Sequence, residues 1–444
     1  MRNKLLFALA LLCSWASATA EVPRMDRSKL LIYAYDNVNY KSRKLRTEQY
    51  IREMKEGGLD FIFGPATREE LDLFHKHGVG VVLDEYLPWW WGGYVDEKGN
   101  TPSGRMEEQR KLSLYDEAAK KYVDHPAVWS MNIGDEPSAL DFEHCAKIAA
   151  HTVSNYPCHA AYVNLYPNYA SAASLSLEQA KSQLGTSTYS EYLTKYCRLF
   201  PLDYICFDAY CWGWGNTPPV LVENLREVSA AAIGTRKDLW VILQLSTHVE
   251  GNINNRKMSV ETVRWQAMTA LAFGARAIGW FSWLWYNSWV LNAYDANWQK
   301  TPAYDIAKQV NGELHRIGEH YEKYRTTHTE LVGTTGEYWK KVRQQAVKEA
   351  GNSYFSGIRA EDGAALAVGH MLAVDGSGRP AVFIAACDDP EGLKLVDHRI
   401  VFKTFSGSVR AWGGNGEVPV ERNANGSFTV TLRTSGGLLI EGVE

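Results

Sequence analysis

Short apolar runs alternate with helix-like segments through about 300 residues of this chain, and few folds accommodate that rhythm. The runs are Leu30 to Tyr35, Leu59 to Phe63, Val79 to Leu83, Val128 to Ile133, His159 to Leu165, Tyr204 to Phe207, Leu239 to Leu243 and Ala277 to Phe281. Each has the length and content of a buried strand. Helix-like stretches follow them, the first closed by Gly57-Gly58 and the last running from Asp305 to Tyr324. Repeated strand–helix pairs of this kind predict an α/β protein with a parallel (β/α)8 TIM barrel. A doubly wound open sheet is the alternative, but it would carry a glycine-rich loop after its first strand. Asp36-Asn37-Val38-Asn39 holds no glycine there.

From about residue 331 the texture changes to short strand-like runs separated by turns such as Asp375-Gly376-Ser377-Gly378 and Asn423-Ala424-Asn425-Gly426. This pattern predicts a small C-terminal antiparallel β-sandwich. At the other end, Met1 to Ala20 reads as a secretory signal peptide: Arg2 and Lys4, an apolar run from Leu5 to Trp15, then Ala18-Thr19-Ala20. Leu12 before Cys13 is larger than a lipid-anchoring signal favours. The expected organisation is a signal at 1–20, a barrel at 21–330 and a sandwich at 331–444, with a secreted or periplasmic location. No later stretch reaches the ~18 apolar residues of a membrane span.

Net charge is −4 and no Lys/Arg run appears, which argues against a nucleic-acid partner. The cysteines after Cys13 (Cys145, Cys158, Cys197, Cys206, Cys211 and Cys387) show no metal-ligand spacing and are too few for a disulfide scaffold. Pairs Cys145–Cys158 and Cys197–Cys211 stay open. No metal or organic cofactor is expected, and oligomeric state is not legible. The compositional excess is aromatic, with 16 Trp and 24 Tyr. Such rings offer flat apolar faces with a polar edge, suited to stacking on sugars or on other protein.

In a barrel the active site lies at the C-terminal ends of the strands. Those ends carry Asp36, Asp84, Glu85, Asp135, Glu136, Asn164, Tyr166, Asp208, Tyr210, Gln244, His248, Trp283 and Trp285. Clustered acids with dense Trp describe a carbohydrate site: acids protonate and stabilise charge, indoles stack on sugar faces. The fourth run matters most, because it ends Gly134-Asp135-Glu136-Pro137. A regular strand would send Asp135 and Glu136 to opposite faces. A bend beside Gly134 would bring both to one pocket. Read as plain structure, Asp135 or Ser138 would instead cap the next helix. His159 and His248 read as structural, because no second His or Cys sits at ligand spacing. Trp89-Trp90-Trp91 is either a binding platform or a plug over the barrel. Asn164 and Tyr166 either touch substrate or brace a loop. Asp388-Asp389 reads as a solvated turn, and Asp36 as polar lining.

The sequence Asn132-Ile133-Gly134-Asp135-Glu136-Pro137 resembles the fourth strand of the large clan of barrel glycoside hydrolases, where Asn-Glu-Pro ends the strand and its Glu is the acid/base. The barrel-then-sandwich order resembles that clan too. The resemblance implies that Glu136 is the general acid, its pKa raised by an apolar setting and by Asp135. Two departures stand out. Asp135 replaces the clan's Asn, and Gln244 lies where the clan places its nucleophilic Glu. The Asp-Glu pair is also similar to that of barrel N-acetylhexosaminidases, in which the substrate's acetamido oxygen attacks and no protein nucleophile is needed. That likeness implies that Asp135 accepts the acetamido N–H, Tyr210 holds its oxygen, and Trp283 and Trp285 wall its methyl group. Inversion is the competing mechanism, with Asp208, Asp84 or Glu85 as base roughly 6.5–9.5 Å from Glu136. A non-catalytic glycan-binding barrel, favoured by Gln244, is the competing class.

Overall fold

The computed structural model describes residues 23–37, 46–84, 91–92, 98, 101–172, 182–212, 216–248, 258–285, 290–333 and 346–443, without the side chains of 37, 248, 285, 290 and 291. The expected signal peptide, Glu85, Trp89, Trp90, and the side chains of His248 and Trp285 therefore lie outside the described residues.

Eight parallel strands form one sheet: β1 (Leu31–Asn37), β2 (Phe61–Gly64), β3 (Gly80–Leu83), β4 (Val128–Asp135), β5 (Ala160–Asn164), β6 (Tyr204–Ala209), β7 (Asp238–Gln244) and β8 (Ala275–Trp285). Their order in the sheet is β5-β4-β3-β2-β1-β8-β7-β6. Among the described residues a single parallel bridge, Leu165 to Phe207, closes the ring, with the Leu165 N–H donating to Cys206 O at 2.9 Å. The (β/α)8 barrel read from the sequence is thus the fold. Tyr33, Phe61, Tyr162 and Trp240 fill its interior: Tyr33 stacks on Phe61 at 4.5 Å and meets Tyr162 edge-on at 6.2 Å. Rings this wide plug the barrel as a packed core rather than a pore.

The helices that wrap it are α1 (Glu48–Glu56), α2 (Arg68–Lys76), α3 (Leu112–Ala119), α4 (Phe142–Asn155), α5 (Tyr189–Leu199), α6 (Pro219–Thr235), α7 (Val260–Ala272) and α8 (Pro302–Tyr321). Several starts are fixed locally. Thr67 with Glu70 and Thr188 with Glu191 form reciprocal capping boxes, each satisfying two orphan amide groups. The N-cap of α4 is Asp141, whose carboxylate accepts from the Gly104 and Met106 N–H groups, so neither Asp135 nor Ser138 serves as that cap. No helix among the described residues is long and apolar enough to cross a membrane.

The sandwich begins at Tyr324, ahead of the expected position 331. Its first strand, β9 (Tyr324–Val332), directly follows α8, where the helical pattern read from sequence runs on too far. The other strands are β10 (Phe355–Ala360), β11 (Leu366–Ala373), β12 (Pro380–Ala386), β13 (Asp397–Thr404), β14 (Ser408–Gly413), β15 (Gly416–Val418), β16 (Val420–Arg422), β17 (Phe428–Arg433) and β18 (Gly437–Val443). They make a six-stranded sheet, β9-β11-β12-β18-β14-β15, and a four-stranded sheet, β10-β13-β17-β16. Alternation along β12 shows how one strand serves two cores. Val382 and Ile384 pack between the sheets, whereas Ala381, Phe383 and Ala385 join the barrel's core. Phe383 meets Tyr321 of α8 edge-on at 5.5 Å, and His320 stacks on Trp412 at 3.5 Å. Asp388-Asp389 is more than a solvated turn: Asp389 accepts the Glu391 and Lys394 N–H groups, and Asp388 faces His398 at 3.4 Å. All six described cysteines are free thiols, so neither candidate disulfide is formed.

Candidate active site

The site grows out of an irregularity in β4. Its pairing with β5 slips between Asn132 and Gly134, after which Asp135 aligns with Asn164. A bulge of this kind re-aims every later side chain. The next residue, Glu136, takes φ 46°, a left-handed conformation that non-glycine residues adopt rarely. Its amide is held there by a 2.8 Å bond to the Asn164 carbonyl. Bulge and left-handed turn together bring two consecutive carboxyl groups into one cluster.

There they meet Asp208 from the end of β6. Asn164 donates its amide to Asp135 Oδ1 at 3.1 Å and to Asp208 Oδ1 at 3.2 Å. Tyr35 on β1 donates to the same Asp135 oxygen at 3.4 Å. Asp208 hydrogen-bonds the Glu136 carboxyl and the Tyr210 side chain. Trp91 donates its indole N–H to Glu136 Oε2. The adjoining Gly92 lies flat on the acid pair: its N–H donates to Asp135 O at 3.2 Å, and any Cβ there would collide with the Glu136 carbonyl. Tyr166 is buried beside them, its hydroxyl unpartnered among the described residues.

Three acids this close cannot all ionise freely. Burial, then the Asp208 charge, pushes Asp135 up to about 7, against the bonds from Asn164 and Tyr35. Burial, followed by Asp208 and Asp135, holds Glu136 well above the ordinary carboxyl range. Asp208 rises to about 6 by burial, opposed by its bonds to Asn164, Glu136 and Tyr210. The group therefore contains a carboxylic acid that stays protonated near neutrality, which is what proton donation requires.

The remaining sequence candidates divide. Asp84 stands one strand away, accepting from Asn132 Nδ2 at 2.6 Å with Arg110 at 3.7 Å, and its charge reaches Asp135. Tyr210 borders the cluster, its ring 5.2 Å from Phe281. Three candidates belong elsewhere. Asp36 is fully buried between barrel and helices, bonded to Arg46 and Tyr50 at 2.6 Å each. Tyr35, its neighbour on the strand's other face, is the residue that enters the site. Gln244 is also fully buried: Trp212 N–H donates to its Oε1 at 3.0 Å, and its Nε2 donates to Trp212 O and Ser246 O. Both ends of the amide are spent on the chain itself. Trp283 packs against Tyr294, Tyr304 and the Gly57 turn, away from the mouth. His159 lies beside Arg24 at 3.0 Å, ahead of β5 at the opposite end of the barrel. Sequence reasoning missed Tyr35, Asn132, Phe281 and Gly92, and left Trp91 inside an unresolved triplet.

Among the described residues one cluster has metal-ligand composition: His328, Glu330 and His370 share a face of the β9–β11 ladder. Its hydrogen bonds are built for a proton. Asn352 Oδ1 is held by the Tyr354 and Phe355 N–H groups, so its Nδ2 donates to His370 Nδ1. His370 then carries its proton on Nε2 and donates it to Glu330 at 2.9 Å.

No family model and no curated protein matches the chain. Solved structures do resemble it. A catalytic mutant of a GH42 beta-galactosidase from G. stearothermophilus aligns with TM-score 0.54 and 8% identity, over 95% of this chain and 99% of that one. A GH30 endoxylanase from Clostridium papyrosolvens gives TM-score 0.44 and 10% identity, over 94% and 97%. A beta-galactosidase from the psychrophilic Marinomonas ef1 gives 0.46 and 12%, over 65% of this chain and 60% of that one, so the chain spans only that part of its length. The first of these likenesses, with the eight-stranded ring, establishes the fold: a (β/α)8 barrel followed by a β-sandwich.

Proposed function

We propose that the protein hydrolyses O-glycosidic bonds of glycans, with Glu136 as the general acid, and that it acts outside the cytoplasm. The observation that carries this reading is the Glu136 carboxyl at the C-terminal end of the barrel strands, braced by the Trp91 indole beside Asp208 and held by burial well above the ordinary carboxyl range. A proton held there can pass to a leaving-group oxygen.

For the second half of the chemistry, acetamido assistance is the mechanism best supported. Among the described residues, the two side-chain donors to Asp135, Tyr35 and Asn164, both fall on Oδ1, and Oδ2 would accept a substrate N–H. Gln244 cannot substitute for a nucleophile, being locked to Trp212 and Ser246. Asp208 is disfavoured as the inverting base, since it hydrogen-bonds Glu136 directly, whereas an inverting pair stands roughly 6.5–9.5 Å apart. Tyr210, which bonds Asp208 at the border of the cluster, is the candidate to hold the acetamido oxygen. The locked Gln244 also favours a second reading, a glycan-binding barrel without turnover.

Hydrolysis of a panel of glycans, N-acetylated and plain at the 2-position, tests both. Wild-type protein is expected to cleave the acetamido substrates, and Glu136→Gln to lose about 10²–10⁴-fold in rate. Equal turnover by Glu136→Gln removes the assignment. Binding without product at long incubation establishes the second reading.

A further inference from the structure

Among the described residues, Asn164 is the one hydrogen-bonded to all three acidic residues. Its carbonyl fixes the Glu136 amide at 2.8 Å. Its single NH2 group serves Asp135 at 3.1 Å and Asp208 at 3.2 Å. The orientation of that amide is set from below. The Cys206 thiol approaches Asn164 Oδ1 at 3.9 Å and is itself flanked by the Tyr33 and Tyr162 hydroxyls at 3.4 and 3.5 Å. With Oδ1 turned to the thiol, the NH2 faces the carboxylates. An NH2 group only donates, so the two oxygens it meets must accept. Glu136 receives no side-chain donor from Asn164. Its Oε2 accepts from Trp91, which leaves its hydroxyl to donate to Asp208.

We propose that Asn164 is a positioning residue that distributes the site's proton: its amide holds Asp135 and Asp208 as anions and so leaves the proton on Glu136. The assignment deepens the reading of Glu136 as general acid and rests on it for its catalytic meaning. The other titratable and charged groups facing the cluster do not perform this sorting. Tyr35 and Tyr210 each donate to one carboxylate, Asp84 is paired with Asn132 and Arg110, and Tyr166 and Tyr169 stay protonated.

The test is an infrared titration of protonated carboxyl groups in the full chain, without substrate. Asp135→Asn, Asp208→Asn and Glu136→Gln assign the signals. In Asn164→Ala the Asp135 and Asp208 midpoints are expected to rise by about one pH unit, the worth of a lost bond to a charged group. Asn164→Ser keeps one donor and should shift them by less. It also serves if the alanine variant fails to fold. The acid limb of kcat/KM moves up by the same amount, because Asp135 must be ionised to accept a substrate N–H. Midpoints that stay put or fall in a folded variant overturn the proposal, whatever happens to turnover. Shifted midpoints in a chain that hydrolyses nothing leave the role of Asn164 standing and remove only the hydrolase reading.

Discussion

At the scale of single residues, the site is a problem in charge spacing. Asp135 is held near 7 against an ordinary value of 3.8, chiefly by burial and by Asp208. A carboxyl group whose folded pKa is raised stabilises the fold only while it is protonated there. That contribution is full below the unfolded value and is lost as pH climbs through the folded one. Asp135→Asn keeps an acceptor oxygen for Asn164 and Tyr35 and removes the buried charge. The variant should therefore unfold at a higher temperature than wild type at pH 8, with the gain vanishing at pH 4. Melting curves at the two values check this. A gain that persists at pH 4 would mean that packing, not charge, is responsible.

At the scale of elements, strand ends decide what enters the barrel. The strand-end rule picked out Asp135, Glu136, Asn164 and Asp208, which the fold brings within hydrogen-bonding reach of one another, because position along a strand follows from length and turn residues, which are local. It could not separate Tyr35 from Asp36. Which of two neighbours faces inward depends on side-chain parity, and a one-residue difference in reading reverses it. The bulge in β4 and the left-handed Glu136 are tertiary outcomes that Gly134 hints at without fixing. Trp283 and Gln244 were misplaced for the same reason: an apolar or amide side chain at a strand end carries no mark of which side it packs. Gln244 yields a sharp expectation. Gln244→Glu restores the residue type of a clan nucleophile, yet the group stays buried and loses its donor to the Trp212 and Ser246 carbonyls. It should gain no activity and lose about 1–3 kcal/mol of stability. Denaturant unfolding and turnover measure both.

At the scale of the whole molecule, the sandwich acts as a buttress for one side of the barrel. The inner face of its larger sheet is continuous with the core around α7 and α8, and Arg264 of α7 holds Glu313 of α8 through bonds of 2.6 and 2.7 Å. Among the described residues, the opposite side has no such support. Neighbouring strands elsewhere in the ring are laced by backbone ladders, but among the described residues the backbones of β5 and β6 are joined only by the Leu165–Phe207 bridge, helped by a few side-chain bonds. Asn164 stands immediately before that stitch and Asp208 immediately after it, so the 3.2 Å amide bond between them crosses the ring's thinnest seam. Seams with few bonds are the first to part when a protein is warmed. Chemistry and architecture should accordingly fail in sequence: on heating, turnover disappears several degrees before the far-ultraviolet dichroism of the barrel does, and cooling from that interval restores it.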